Sequence, residues 1–307
     1  MARIGLGQFT ASSDREHNLI EVENLIDQAS LAEVDLLCFH ELATTTYFCY
    51  ENNPAFRALA ESDEGESVTR VRDAAAKRGV ALVFPFYERV ADGRLYNSAV
   101  VVGKDGAMLG KYRKMSIPSI KRTVDPNETP GDEQFYFTAG DLGFPVFDVG
   151  GLKVGILICY DRHFVEAARV IGLQGAEILF VPTATYRGWI RRVWEAELIG
   201  HAIANGYYVA GVNRVGVEAG GAPNRCYFGS SLVIDPTGEV MARASDSQPG
   251  LLTVDVSAER VADVRDLWGF FRCRRPDAYG MLLDAVQGQH WPTISAAATK
   301  PASASAH

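Results

Sequence analysis

The chain has 307 residues, 47% hydrophobic and 22% charged, with a formal net charge of −8. Such a composition fits a globular protein with a sizeable core, and the acidic balance argues against non-specific binding to nucleic acid or an anionic membrane, both of which need basic patches. No apolar run approaches the ~20 residues of a bilayer span, and five cysteines in no CxxC spacing read as free thiols in a reducing cytoplasm.

MARIGLGQF has no long apolar core of a signal peptide and reads as a first strand. Leu19, Val22, Ile26 and Ala29 then recur at intervals of three and four, which predicts an amphipathic helix between Arg15 and Val34. The unbroken apolar run from Val34 to Phe39 predicts a strand covered on both faces. VVVGKDGAML reads as a strand, an Asp-Gly turn and a second strand. The segment from Ser119 to Gln134, rich in charge, Pro and Gly, reads as a long loop of the kind that often serves function.

A further strand runs into Cys159, and Phe164, Ala167, Ala168 and Ile171 predict the next helix, with Gly175 as its stop. Ala176 to Val181 is another buried strand, and LVIDPTGEVM a second strand-turn-strand unit. DLLCFHELATTTY echoes EILFVPTATY, and YNSAVVVGKDGAM echoes FGSSLVIDPTGEVM, which hints at two halves of similar design. Alternating helices and strands favour an α/β domain with helices layered on sheets. One domain is read over 1–294, and the small polar stretch 295–307 reads as a disordered tail.

The stretch GILICYDRHFVEAA carries the chemistry: an apolar strand delivers Cys159 to its end, just before a helix. Sheet carboxyl edges are where α/β folds place their sites, and a helix N-terminus lowers a thiol's pKa. The plain alternative is a buried structural cysteine. Cys159 and His163 alone make a poor zinc site, which needs four N/S ligands, so no metal is expected. Glu41 and Lys114 also follow strand-like runs. A carboxylate can serve as general base and a lysine as stabiliser of an oxyanion, although taken singly each is ordinary surface chemistry.

LLCFHELATTTYF, GKYRKMSIP and ICYDRHFVEAARVIGLQGAEILFVPTA, in that order, resemble the nitrilase, or carbon–nitrogen hydrolase, superfamily from about Ile4 to about Leu283. The resemblance implies a four-layer αββα sandwich and a Glu–Lys–Cys triad. Glu41 would then be the general base, Lys114 the oxyanion stabiliser and Cys159 the nucleophile, with the Tyr160 N–H as second oxyanion donor. In GDEQFYFTAGDLGF the second family glutamate falls on Glu133. The family also implies that no metal or other cofactor is needed, and a homodimer or higher homo-oligomer.

The residues after the thiol suggest the branch. Cys-Tyr-x-Arg-His and Asn213-Arg214-Val215-Gly216-Val217-Glu218 look like β-ureidopropionase, YFTAGDLGFPVFDV like the D-specific N-carbamoyl amino acid amidohydrolases, and TTTYFCY with WGFFRCRRPDAY like N-carbamoylputrescine amidase. Arginine offers the bidentate bonds that suit a carboxylate, so Arg162 is expected to bind an anionic substrate; its alternative is a structural pair with Asp161 or a nearby carboxylate. The expected reaction converts an N-carbamoyl amino acid, β or D-α, to the amino acid, CO2 and ammonia. N-carbamoylputrescine, an aliphatic amide or a nitrile is the alternative substrate, and a non-catalytic binding subunit the alternative class. His163, Tyr47, Thr183, Tyr186 and Asn213 are candidates for lining the pocket, and Arg191 and Arg192 are alternative anion contacts; Arg272, Arg274 and Arg275 crowd a segment that, by resemblance, helps subunit contact, although such a basic cluster also reads as a solvated face. Ser116 stands where the family usually has His, and His40 precedes the base.

Overall fold

The computed structural model describes residues 1–118, 132–186, 190–222 and 225–284. The predicted tail lies outside the described residues, as does most of the loop read at Ser119–Gln134, of which 132–134 are described. The first half of the chain runs β1 (Ala2–Gln8), α1 (Arg15–Leu31), β2 (Leu36–Phe39), α2 (Glu66–Arg78), β3 (Ala81–Arg89), β4 (Leu95–Val102) and β5 (Met108–Arg113). The second runs β6 (Val146–Val149), β7 (Leu152–Ile156), α3 (Val165–Leu173), β8 (Ile178–Thr183), α4 (Ile190–Asn205) and β9 (Tyr208–Asn213). There follow a short hairpin, β10 (Val215–Val217) with β11 (Cys226–Phe228), then β12 (Leu232–Ile234), β13 (Val240–Arg243), β14 (Gly250–Val256) and α5 (Ala258–Trp268).

These strands form two six-stranded sheets, ordered β14-β1-β2-β3-β4-β5 and β13-β12-β9-β8-β7-β6. Each sheet has three consecutive parallel strands, β1-β2-β3 or β7-β8-β9, continued by an antiparallel pair, β4-β5 or β12-β13. Each is closed on the other side by one antiparallel strand, β14 or β6. The echoed sequences occupy matching places, β2 with β8 and β4-β5 with β12-β13, so the internal echo is architectural.

Strand side chains alternate between the two faces of a sheet. In the first sheet Leu36, Cys38, Ala81 and Val83 face the second sheet's core, whereas Leu37, Phe39, Leu82 and Phe84 pack with α1 and α2. Both faces are buried, which is why these strands read as unbroken apolar runs. On the other side α3 and α4 press so close that a methyl group on Gly155 would meet Ile171 and one on Gly211 would meet Trp194. The layers are therefore helix, sheet, sheet, helix, all within residues 1–268. Residues from Gly269 form a separate unit, with a 3-10 turn at Pro276–Ala278 and α6 (Gly280–Asp284). Arg275 there pairs with Asp277, and the Arg274 guanidinium lies over Tyr279. Among the described residues no helix is long and apolar enough to cross a membrane.

Candidate active site

Four segments bring ionisable side chains together at the carboxyl ends of the parallel strands. Glu41 lies in the turn after β2, Lys114 directly after β5, Glu133 opens a 3-10 turn, and Cys159 opens another, Cys159–His163, between β7 and α3. Glu41 and Lys114 are fully buried and Glu133 nearly so, whereas Cys159 is partly exposed. The Lys114 ammonium donates to Glu41 Oε1 at 3.0 Å and to Glu133 Oε2 at 2.6 Å. Asn97 of β4 donates to the same Glu41 oxygen at 2.7 Å, and the Tyr47 hydroxyl donates to Glu133 Oε1 at 2.8 Å. Among the described residues Glu41 Oε2 has no hydrogen-bond partner, although it is buried. A buried, unpaired carboxylate oxygen is costly and calls for an explanation.

Two site segments carry left-handed backbone on non-glycine residues: Cys159 at φ 50° and Leu42, just after Glu41, at φ 51°. Such conformations persist where the surroundings over-determine them. Around Cys159 the Arg162 Nη1 group donates to the Cys159 carbonyl at 2.8 Å and lies 3.8 Å from its sulphur. Asp161, fully buried, accepts from the Tyr112 hydroxyl at 2.7 Å, the Ser116 N–H at 2.7 Å and the Ile158 N–H at 3.2 Å. Asp161 thus ties the thiol's turn to the segment carrying Lys114. Ser116 contributes its backbone N–H to this tie, which a histidine there would also supply.

Gly140 closes the other side of Lys114. Its N–H donates to the Lys114 carbonyl at 2.8 Å, and a Cβ there would stand 2.3 Å from the Arg113 carbonyl oxygen. The neighbouring Asp141 accepts from Arg113 at 2.7 Å.

Burial pushes the Cys159 thiol up to about 12; the nearby Glu41 adds to the rise, while Lys114 and Arg162 oppose it. The expected lowering by a helix N-terminus is therefore overturned: Cys159 sits on a 3-10 turn ahead of α3, and desolvation of a thiolate outweighs the local cations. Burial alone would pull Lys114 down, but Glu133 and Glu41 hold it well above the ordinary lysine range. Burial raises Glu133, with Glu41 adding and Lys114 opposing. At neutral pH the site thus holds a protonated thiol and an ammonium between two carboxyl groups.

Of the other sequence candidates, Arg162 is buried and its Nε donates to Glu197 of α4 at 3.1 Å, so its structural pair is Glu197, not Asp161. His163 Nδ1 lies 2.6 Å from the other Glu197 oxygen, and His201 meets the Arg162 carbonyl at 2.7 Å. Tyr160 packs edge-on against His163 and Phe164. Thr183 is buried and bonds the Val181 carbonyl, and Asn213 spends its amide on Thr185 and Gly229, so both stabilise strand ends. Tyr186 packs on Tyr227. Arg191 pairs with Asp246 and Arg192 is exposed; neither bonds any of the four site groups. His40 is buried against the Phe9 ring, and burial, with Arg214 adding, keeps its imidazole neutral. Sequence reasoning missed Asn97 and Glu197, which reach the site from 56 and 38 residues away in sequence from Glu41 and Cys159 respectively. Among the described residues no three His, Cys, Asp or Glu side chains form a set that could hold a metal ion.

The carbon-nitrogen hydrolase family model matches residues 2–266. This chain belongs to that family. It is an enzyme of the nitrilase superfamily that acts on C–N bonds other than peptide bonds. The hydrolase is 35% identical to an N-carbamoylputrescine amidase of Arabidopsis thaliana over 90% of this chain and 93% of that one. It is 34% identical to a citrullinase of Francisella tularensis over 90% and 96%. A carbon-nitrogen hydrolase structure from Helicobacter pylori superposes with a TM-score of 0.84 at 37% identity, covering 92% of this chain and 98% of that one. A mutant of the amidase from Nesterenkonia sp. AN1, with the acetamide moiety of fluoroacetamide covalently added at its active-site cysteine, superposes at a TM-score of 0.75 and 26% identity, covering 91% and 96%.

Proposed function

We propose that this hydrolase cleaves N-carbamoyl compounds, R–NH–CO–NH2, using Cys159 as nucleophile, Glu41 as general base and Lys114 as oxyanion stabiliser. The observation that carries this reading is Oε2 of Glu41, which has no hydrogen-bond partner among the described residues: the carboxylate is fixed through Oε1 by Asn97 and Lys114 and keeps one buried oxygen to receive a proton. As the protonated thiol attacks the carbamoyl carbon, its proton passes to Glu41, which avoids forming a free thiolate in a buried site. The Lys114 ammonium and the Tyr160 N–H meet the developing oxyanion. Glu41 then returns the proton to the departing ammonia. The carbamoyl thioester is hydrolysed by a water activated by Glu41 or Glu133, and the carbamic acid loses CO2 to give R–NH2. A chain of this kind works in a reducing cytoplasm, which suits its five free cysteines. It assembles as a homo-oligomer, a reading supported by the exposed apolar side chains of α3, Val165, Val170 and Leu173.

The reading extends to R as a carboxylated group, an N-carbamoyl amino acid. Arg162 places a cation 3.8 Å from the thiol, and a relative is a citrullinase, whose substrate is a ureido amino acid. With Nε and Nη1 already engaged, the carboxylate meets the remaining edge of the guanidinium. The same pair supports a second reading. Glu197 offsets the Arg162 charge, and a relative acts on N-carbamoylputrescine, whose far end is an amine. Ammonia release from N-carbamoyl-β-alanine, N-carbamoyl-D- and L-amino acids and N-carbamoylputrescine separates the two. Preference for the carboxylated compounds supports the first reading, and preference for the amine the second. Activity on simple nitriles alone contradicts both.

A further inference from the structure

Behind Glu41 lies a second buried ion pair that the reaction scheme leaves without a task. Arg214, between β9 and β10, is fully buried, and its Nη2 group donates to the carbonyls of Glu41 and Leu42, each at 2.7 Å. Its Nε donates to the Glu41 carbonyl at 3.2 Å, and its Nη1 pairs with Glu218. The other Glu218 oxygen accepts the Tyr47 N–H at 2.9 Å. Tyr47 in turn bonds Glu133, Glu133 bonds Lys114, and Lys114 bonds Glu41. These contacts close a ring: Glu41, Arg214, Glu218, Tyr47, Glu133, Lys114 and back to Glu41. It joins both sheets, because Glu41 follows β2 of one and Arg214 follows β9 of the other.

We propose that Arg214 and Glu218 are positioning residues for the reaction: through the ring they hold the Glu41 turn from its backbone side and set its spacing to Glu133. The left-handed Leu42 lies within the clamped turn, and an arginine fork suits the task because it can serve two carbonyls and a carboxylate in fixed geometry. A lysine, a point charge on a flexible stem, cannot. Among the described residues Glu41 Oε2 has no hydrogen bond of its own, so its position depends on Oε1 and on the backbone that Arg214 grips.

The inference rests on Glu41 as the base. The test compares Arg214→Lys and Glu218→Gln with wild type, counting active sites by titration and following Cys159 alkylation by iodoacetamide. Misplacing a reacting group by about 1 Å costs up to about 100-fold, so kcat per titrated site should fall about 10- to 100-fold, with KM within about threefold. The alkylation rate should fall in parallel. A purely structural role would lower melting temperature and the titrated fraction but leave kcat per site and alkylation unchanged, and that result overturns the inference. Should Arg214→Lys fail to fold, Glu218→Gln, which keeps volume and the acceptor for the Tyr47 N–H, decides between the two outcomes. Glu41→Gln and Cys159→Ala are run alongside. Full turnover in either sinks the triad itself, whereas their silence beside fully active Arg214 and Glu218 variants sinks this inference alone.

Discussion

The Lys114 ammonium lies 3.0 Å from Oε1 of Glu41 and leaves Oε2 of the same carboxylate buried without a hydrogen-bond partner among the described residues. One oxygen is held and the other is available. With Glu133 on its far side, at 2.6 Å, Lys114 is the hinge of the site's charge balance: removing it would leave two buried carboxyl groups facing each other.

Lys114→Ala should therefore fail twice. Breaking a buried ion pair by deleting one partner costs about 3–5 kcal/mol, read as a loss of unfolding free energy in a denaturant titration. The missing oxyanion contact should lower kcat by about 100- to 1,000-fold. A folded variant with near wild-type kcat would remove Lys114 from the chemistry.

The raised thiol gives a pH signature. The folded Cys159 keeps its proton up to about 12, against an ordinary 9.0. The ultraviolet absorbance of thiolate, taken as wild type minus Cys159→Ala, should stay flat through the ordinary range and rise only towards the upper value. The sign for stability follows: in that window the unfolded thiol loses its proton and the folded one keeps it, so rising pH favours unfolding. Wild type should lose stability faster than Cys159→Ala between those pH values. A thiolate signal already present at neutral pH would contradict the burial of a protonated thiol.

Glu197 should govern which charge the substrate's far end carries. Glu197→Gln removes the anion from Arg162 Nε and His163. The ratio of kcat/KM for a carboxylated over an amine-bearing N-carbamoyl compound should rise by about tenfold, the worth of about 1.4 kcal/mol. An unchanged ratio would make the Arg162–Glu197 pair structural only.

Gly140 tests how closely Lys114 is gripped. A methyl group there meets backbone oxygen at 2.3 Å, and backbone cannot turn aside as a side chain can. Gly140→Ala should cost about 1–3 kcal/mol of stability, as overpacking does, and should depress kcat by shifting Lys114. Denaturant titration and turnover on the same preparation check both.

Much of this is legible in the sequence because it is local. Runs such as Val34–Phe39 announce strands buried on both faces, although β2 itself begins at Leu36, and the spacing of Leu19, Val22 and Ile26 announces α1. The paired echoes foretell two sheets of one design. Glu41, Lys114 and Cys159 stand out because each follows a strand. What stays hidden depends on long-range pairing. Nothing near Asn97 marks it as a partner of Glu41, and nothing near Glu197 marks it as the partner of Arg162. The thiol's raised pKa is hidden for a related reason: the helix lies in the sequence, but the degree of burial that outweighs it belongs to the packed sheets.

The proposed role of Cys159 as the nucleophile of an N-carbamoyl hydrolase can be tested directly. The decisive measurement is ammonia release from N-carbamoyl compounds by wild type and Cys159→Ala, side by side, with folding checked by circular dichroism. Wild type should release ammonia, and the folded variant should lose at least about 1,000-fold of that rate, as expected for removal of a nucleophile. Comparable release by both proteins would mean that the thiol is not the attacking group.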